Sequence, residues 1–214
     1  MQTLWIFDMD GTLYTGVDRV WEEIVKLLQG YLRDHLGLSV EVSSEEQRAL
    51  RKKWHTHQTT IAYIREFDLD FDELIEATHL PILESLVVEL RHGIEVIQHL
   101  PGKKVILTNS PESFAHALLK KLDIHHLFDE VHGLRADMLH AKPHAESYQR
   151  FAHHAHVIMI EDYDANLCVP HQLGWKTAWF PEIDQSHLPA FPAHVHKHIT
   201  SLAELQHFIQ NSHP

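Results

Sequence analysis

The sequence has little that would suit an oxidising compartment, a membrane or a polyanionic partner. Cys168 is the single cysteine, so no disulfide can form within the chain, and we expect a reducing, cytoplasmic location. No apolar run approaches the roughly 18 residues of a membrane span, and no signal-peptide pattern opens the chain. Lys and Arg number 18 against 30 Asp and Glu. This negative balance argues against binding to nucleic-acid polymers or anionic membranes.

Length and composition are those of an ordinary globular protein. The 214 residues allow one domain, or one domain with an insert, and 44% are hydrophobic. The 22 histidines are unusual, and His194, His196 and His198 alternate as they would on one face of a strand. One interpretation is a metal site. The other is a net charge that changes steeply at about pH 6.5.

The stretch Leu4–Leu13 is the part around which we expect the chain to be organised. Its apolar residues 4–7 predict a strand buried on both faces of a parallel sheet. Asp8 and Asp10 follow at the carboxyl end of that strand, where open α/β sheets place ligands. Buried carboxylates are costly unless a cation or donors meet them. The motif therefore indicates a cation site with one carboxylate free to act as a nucleophile, or else an acidic turn.

Helical periodicity follows this strand and continues to about Arg91. Apolar residues recur at helical spacing from Val17 to Leu36, and Gly37 is a stop signal. Ser43 and the acids after it predict a helix start. We therefore expect a helical insert over residues 15–90 and an α/β core over residues 1–14 and 91–214.

From Gly93 the pattern alternates between buried strands and helices, as in a parallel α/β domain. Further strands are expected at 105–107, 128–131, 157–160 and 176–180, with a short one near Ile199. Helices are expected at 94–100, from Pro111, from Pro143, at 165–173 and from Ser201.

Each predicted strand end carries a different polar group. The second strand ends in Thr108 and Asn109 and the fourth in Glu161 and Asp162, while Lys142 lies just before a predicted helix. Because parallel strands point the same way, these groups should meet the first carboxylates in one crevice. Clustered carboxylates suit Mg²⁺, and a lysine, a hydroxyl and helix N-termini suit a phosphate. The set predicts phosphoryl transfer.

In these motifs the chain resembles the haloacid dehalogenase superfamily. The residues that carry the resemblance are Asp8-Met9-Asp10-Gly11-Thr12-Leu13, Thr108-Asn109-Ser110, Lys142-Pro143, and Glu161-Asp162 with Asn166. The resemblance covers the whole chain, with the insert where the family has its helical cap. It implies a Rossmann-like parallel sheet and a Mg²⁺-dependent phosphatase. Less specifically, the chain resembles pyrimidine 5′-nucleotidase and phosphoglycolate phosphatase-like members.

The resemblance also implies roles for individual residues. Asp8 attacks phosphorus, and Asp10 protonates the leaving group and then activates water. That second carboxyl disfavours a dehalogenase. The phosphoryl group is held by Thr108, Asn109 and Lys142. The metal is bound by Asp8, the Asp10 carbonyl, Asp162 and Glu161, the last directly or through water.

Three functions stay open at this stage. The first is a phosphatase acting on a small phosphorylated metabolite, for example a pyrimidine nucleoside monophosphate. The second is a phosphotransferase of the sugar-phosphate mutase type, and the third is a non-catalytic, receiver-like phosphate-binding protein. Tyr14, Trp21, Trp54 and Tyr63 are candidates for stacking on a base. The basic residues 51–53 are candidates for meeting a second charged group of the substrate, or form a solvated face.

Overall fold

The core of the fold is a six-stranded parallel sheet. The computed structural model describes residues 2–37, 42–183, 185, 187 and 190–206. In spatial order the strands are β5 (Glu130–Leu134), β4 (Lys103–Pro111), β1 (Leu4–Phe7), β6 (Val157–Glu161), β7 (Lys176–Trp179) and β8 (Lys197–His198). The order reverses beside β1, so the first strand lies in the middle of the sheet, at a topological switch point where α/β folds bind ligands.

The register of the central strands explains how the motifs meet. Ile6 of β1 lies opposite Val105 of β4 and Met159 of β6. Counting forward from this register places Asp8 opposite Leu107, one residue before Thr108, and opposite Glu161 at the end of β6. All residues of β1 are buried, as the unbroken apolar run predicts.

Helices dominate the segment between β1 and β4. They are α1 (Val17–Leu36), α2 (Ser44–Lys53), α3 (Thr59–Phe67), α4 (Phe71–Thr78) and α5 (Ile82–Ser85). The expected end signals are present, because Gly37 ends α1 in a left-handed conformation and the Ser43 hydroxyl accepts from the Glu46 amide at the start of α2. Two short strands that sequence reasoning missed, β2 (Tyr14–Thr15) and β3 (Glu89–Leu90), pair antiparallel at the two ends of this segment.

The helical segment contributes to two apolar clusters. Val20 and Ile24 of α1 pack in one cluster with Trp5 and Phe7 of β1. The other half of α1, including Leu28, packs with α3 and α4. One helix thus joins the insert to the sheet, while the division of the chain into a core and a cap stays a prediction.

Most of the helices expected after Gly93 are shorter than the sequence predicts. The helix after Pro111 is regular, α6 (Glu112–Lys121). The segments expected as helices from Ile94 and Pro143 are instead 3₁₀ turns at Ile94–His99, Ala145–Ser147 and Gln149–Phe151, and α7 (Cys168–Gln172) follows a 3₁₀ turn at Asp164–Leu167. Apolar spacing does not distinguish a short α-helix from a 3₁₀ turn, since both return a side chain to the core every three or four residues.

Three further expectations have different outcomes. The strand expected at 128–131 lies slightly later, at Glu130–Leu134. The helix expected from Ser201 begins as a 3₁₀ turn at Leu202–Glu204, and its continuation past 206 falls outside the described residues. Within the described part of the chain, no helix combines the length and apolarity needed to cross a membrane.

Candidate active site

A buried lysine lies between two buried carboxylates at the centre of the site. Lys142 Nζ donates to Asp8 Oδ1 at 2.6 Å and to Glu161 Oε1 at 2.7 Å. Asp8 follows β1, Glu161 ends β6, and Lys142 comes from the loop between β5 and β6. The lysine side chain is 1% exposed. An ammonium so far from water requires partners of opposite charge, which these two carboxylates supply.

A third carboxylate completes a grouping that can hold a metal ion. Asp8, Glu161 and Asp162 each offer an oxygen within 4.8 Å of the other two, and among the described residues no other set of three or more ligating side chains does so. The alternating histidines 194, 196 and 198 therefore form no such site, because only residues 197–198 lie in a strand and the His196 ring accepts from the Thr177 amide. The metal interpretation of these histidines is wrong.

The electrostatics of the grouping favour an additional cation. Burial, together with Glu161, raises the pKa of Asp8 to about 8. Burial and the same neighbour raise the pKa of Asp162 to about 10. Burial lowers the pKa of Lys142, but the adjacent Asp8 and Glu161 carboxylates outweigh it and raise that pKa overall. Three acids around one ammonium repel each other, and a hard divalent cation with oxygen ligands would relieve this repulsion.

The glycine of the first motif leaves room for the third carboxylate. Gly11 has a φ of +81°, and a Cβ placed on it would lie 2.2 Å from Asp162 Oδ2. A side chain at this position would therefore displace Asp162 as well as strain the backbone. Arg91 Nη1 donates to the Gly11 carbonyl at 2.9 Å and so supports the same turn from the end of the insert.

The Asp10 side chain is not part of this grouping and accepts from hydroxyl groups. Thr108 Oγ1 and Ser110 Oγ donate to Asp10 Oδ2 at 3.0 and 2.8 Å, and the Tyr14 hydroxyl donates to Oδ1. Both oxygens of the Asp10 carboxyl therefore accept from hydroxyl groups, and its charge helps to raise the pKa of Asp8. A metal role for the Asp10 carbonyl stays a prediction.

Two amide side chains fix the residues that surround Asp8. Asn109 accepts from the Lys142 amide at 2.7 Å and donates to the Lys142 carbonyl at 3.0 Å, so it clamps the lysine backbone. Asn166 Nδ2 donates to Glu161 Oε1 at 2.6 Å, and the Tyr163 amide donates to Oε2 at 2.9 Å. Both oxygens of Glu161 therefore already have donors.

The structure brings together the residues that were given roles, and Ser110 and Tyr14 also contact Asp10. The residues with roles are Asp8, Asp10, Thr108, Asn109, Lys142, Glu161 and Asp162. From the sequence, Ser110 was named only as part of a motif, and Tyr14 was considered only for stacking. The position of Ser110 two residues after Thr108 could have indicated its contact with Asp10, because residues two apart on a strand face the same side. Nothing in the spacing distinguishes a tyrosine that contacts Asp10 from one that stacks on a ligand.

A cavity of about 240 Å³ opens beside Asp10. Asp10, Asn109 and Ser110 line it from the sheet side, and α1 lines it with Trp21 and its neighbours. Among the aromatic residues considered for stacking, Trp21 lines this cavity. Trp54 instead donates its indole N–H to Glu66, and Tyr63 is wholly buried.

The chain belongs to the haloacid dehalogenase-like hydrolase family, whose model matches residues 3–166. It is therefore a hydrolase of the class that the motifs indicated. No curated protein matches it by sequence.

Solved structures share its whole fold. CbbY from Rhodobacter sphaeroides in complex with phosphate is 18% identical, with 96% of each chain covered and a TM-score of 0.67. A mutant of CbbY in complex with xylulose-(1,5)-bisphosphate is 17% identical, with 96% of each chain covered and a TM-score of 0.66. A HAD phosphatase from Thermococcus onnurineus is 18% identical, with 98% of each chain covered and a TM-score of 0.66. At these identities the likeness establishes a common fold.

Proposed function

We propose that this chain is a Mg²⁺-dependent phosphatase that hydrolyses a small phosphorylated metabolite through an aspartyl-phosphate intermediate. The observation that carries the proposal is the convergence of Asp8, Lys142, Glu161 and Asp162 at one edge of the sheet, with the Asp10 carboxyl held separately beside a cavity. A nucleophile, a cationic clamp and an independent acid–base group are what phosphomonoester hydrolysis needs.

The different partners of the two aspartates, an ammonium for Asp8 and hydroxyl groups for Asp10, support different tasks for them. In the first step an Asp8 oxygen forms a bond to phosphorus, the bond from phosphorus to the leaving oxygen breaks, and Asp10 gives that oxygen a proton. In the second step Asp10 takes a proton from water as the water oxygen forms a bond to phosphorus, and the bond from phosphorus to the Asp8 oxygen breaks. Inorganic phosphate leaves, and the Asp8 carboxylate is regenerated. Thr108 and Ser110 position the Asp10 carboxyl, since both donate to the same oxygen.

Lys142 and Thr108 would hold the phosphoryl group during transfer. Lys142 is ionised and already contacts Asp8, so it lies beside the oxygens on which negative charge is spread in the transition state. Thr108 lies within β4, three residues before its last residue, and donates to the second aspartate. Asn109 would act indirectly by fixing the Lys142 backbone.

Asp8 and Asp162 are the direct metal ligands in this proposal. Glu161 would contribute through water or by charge alone, because both of its oxygens accept from nitrogen donors. The donor set fits magnesium, which prefers carboxylate oxygens and retains water ligands. When bound, the ion would neutralise negative charge on the transferring phosphoryl group.

The substrate is a small phosphorylated metabolite, and the first candidates come from two sources. Trp21 at the cavity is compatible with a pyrimidine nucleoside monophosphate. The solved structures add phosphorylated sugars, since a CbbY mutant was captured with xylulose-(1,5)-bisphosphate. We also expect a cytoplasmic location, in keeping with the single cysteine.

A phosphate-release screen tests the proposal. The wild-type chain is incubated with UMP, CMP, phosphoglycolate and hexose phosphates, with Mg²⁺ or with a chelator. We expect release of inorganic phosphate from at least one substrate, and only with the metal. An isomerised hexose phosphate without phosphate release would favour the mutase alternative. No turnover of any compound by a chain that still binds Mg²⁺ would favour the non-catalytic one.

A further inference from the structure

The cavity beside Asp10 has mostly apolar walls. On the side of the insert its lining includes Val17, Val20, Trp21 and Ile24, which follow one another at helical spacing along one face of α1, and Phe71 of α4. On the side of the sheet, Leu134 and Pro111 continue the apolar surface around the polar floor. A leaving group bound here would lose contact with water and gain contact with apolar side chains on several sides.

Among the residues that the structure describes, no lysine or arginine lines this cavity. Among the described residues that line it, Asp10 is the single acidic side chain, and none is basic. The positions that the structure leaves undescribed contain no Lys or Arg either. A phosphate or carboxylate on the leaving group would therefore lose its water beside Asp10 without gaining a counter-charge.

The remaining polar groups of the cavity leave this charge balance unchanged. Gln58 and Thr60 are uncharged. His79 is 3% exposed, and burial lowers its pKa to about 4, so its ring is neutral at physiological pH. The cavity thus offers dipoles to a ligand and no positive charge.

The basic residues of the insert belong to a different surface. Arg48, Arg51 and Lys52 line an open depression that shares no residue with the cavity beside Asp10. Lys53 pairs with Glu66 at 2.6 Å. The idea that residues 51–53 meet a second charge of the substrate therefore finds no support from their position.

We propose that the substrate is a phosphate monoester whose leaving group is small, uncharged and mostly apolar, with Trp21 as a specificity-determining residue. This inference rests on the proposed phosphatase function and narrows it. The leaving group must fit a cavity of about 240 Å³, which is smaller than most drug-sized sites at roughly 300–1,000 Å³. Bisphosphates and phosphorylated acids are excluded as preferred substrates.

A matched pair of substrates tests the charge requirement. The compounds 4-carbamoylphenyl phosphate and 4-carboxyphenyl phosphate have nearly the same shape, but only the second carries an anionic leaving group. With the wild-type chain and Mg²⁺, we expect kcat/KM to be at least about tenfold higher for the carbamoyl compound. Equal values, or a preference for the carboxylate, would overturn the inference while leaving the phosphatase function intact. No phosphate release from either compound, or from the metabolite panel, would overturn both.

A pair of variants tests whether Trp21 of α1 causes the preference for an uncharged over an anionic leaving group. Trp21→Arg places a cation in the cavity, and Trp21→Gln is the uncharged control of similar polarity. We expect Trp21→Arg to lower the carbamoyl-to-carboxylate ratio of kcat/KM by about tenfold or more, and Trp21→Gln to keep the carbamoyl compound preferred. A partial loss of folded protein cancels in this ratio, because both substrates are measured on the same preparation. The same ratio in both variants would rule out Trp21 as a specificity determinant.

Discussion

Lys142 Nζ lies 2.6 Å from Asp8 Oδ1, although 134 positions separate the two residues in the chain. Their side chains are 1% and 7% exposed. Removing one member of a buried ion pair leaves the other with its desolvation cost and without its attraction. The contact therefore couples the stability of the fold to the residues that we propose carry the chemistry.

Replacing this lysine should destabilise the protein. Lys142→Met removes the ammonium between Asp8 and Glu161, and we expect the free energy of unfolding to fall by about 3–5 kcal/mol. Urea unfolding of the metal-free protein measures it. Lys120→Met, at an exposed position of α6, is the matched control and should change stability by less than about 1 kcal/mol. Equal stability of the two variants would show that the buried pair contributes nothing.

Two glycine variants separate backbone strain from displacement of a metal ligand. Gly11 and Gly16 have φ values of +81° and +87°, but a Cβ on Gly16 would meet nothing within 4 Å, whereas on Gly11 it would meet Asp162. Both Ala variants should lose roughly 1–2 kcal/mol of stability. Gly11→Ala alone should also weaken Mg²⁺ binding, by about 10–100-fold. Titration calorimetry measures the affinity, and equal Mg²⁺ affinity in the two variants would remove Asp162 from the metal site.

The buried histidine of the cavity should make stability depend on pH. Burial lowers the pKa of His79 from 6.5 to about 4 in the folded chain. A depressed pKa of a base means that the unfolded chain binds more protons between these values. The contribution of neutral His79 to the free energy of unfolding is therefore fully present above pH 6.5. It is lost as the pH falls towards 4, a change on the order of 3 kcal/mol.

Urea midpoints at several pH values between 4 and 7 check this dependence. His79→Phe removes the titrating ring and keeps an aromatic side chain against Phe114, which His79 contacts edge-to-face. The variant should lose less stability than the wild type on acidification. His126→Phe, at an exposed position, should follow the wild type. If all three proteins lost the same stability between pH 7 and pH 4, His79 would be excluded as a cause of the pH dependence.

The central sheet and the meeting of the motifs follow from local sequence patterns. The apolar run 4–7 predicts β1, and the polar residues in the carboxyl-terminal parts of β4 and β6 meet those that follow β1 because parallel strands share one edge. Helix ends such as Ser43 and Gly37 were also predictable, since capping depends on one or two residues.

Other features depend on contacts that no local pattern encodes. The contact of Tyr14 with Asp10 requires a particular turn after β1, and the apolar cavity requires α1 to pack across the sheet edge. The short β2–β3 ribbon pairs segments about 75 positions apart, because Tyr14 lies opposite Leu90. Its strands are too short to show an alternating pattern.

Phosphate release by Asp8→Asn, compared with the wild type, shows whether Asp8 is the nucleophile. Asparagine keeps the size of the side chain but is a far weaker nucleophile than a carboxylate. Asp123→Asn is the control, since Asp123 is exposed and its φ of 56° suits asparagine. We expect Mg²⁺-dependent release to fall by about 10⁴-fold or more in Asp8→Asn and to stay near the wild-type rate in Asp123→Asn. Activity of Asp8→Asn within a few fold of the wild type would contradict this expectation.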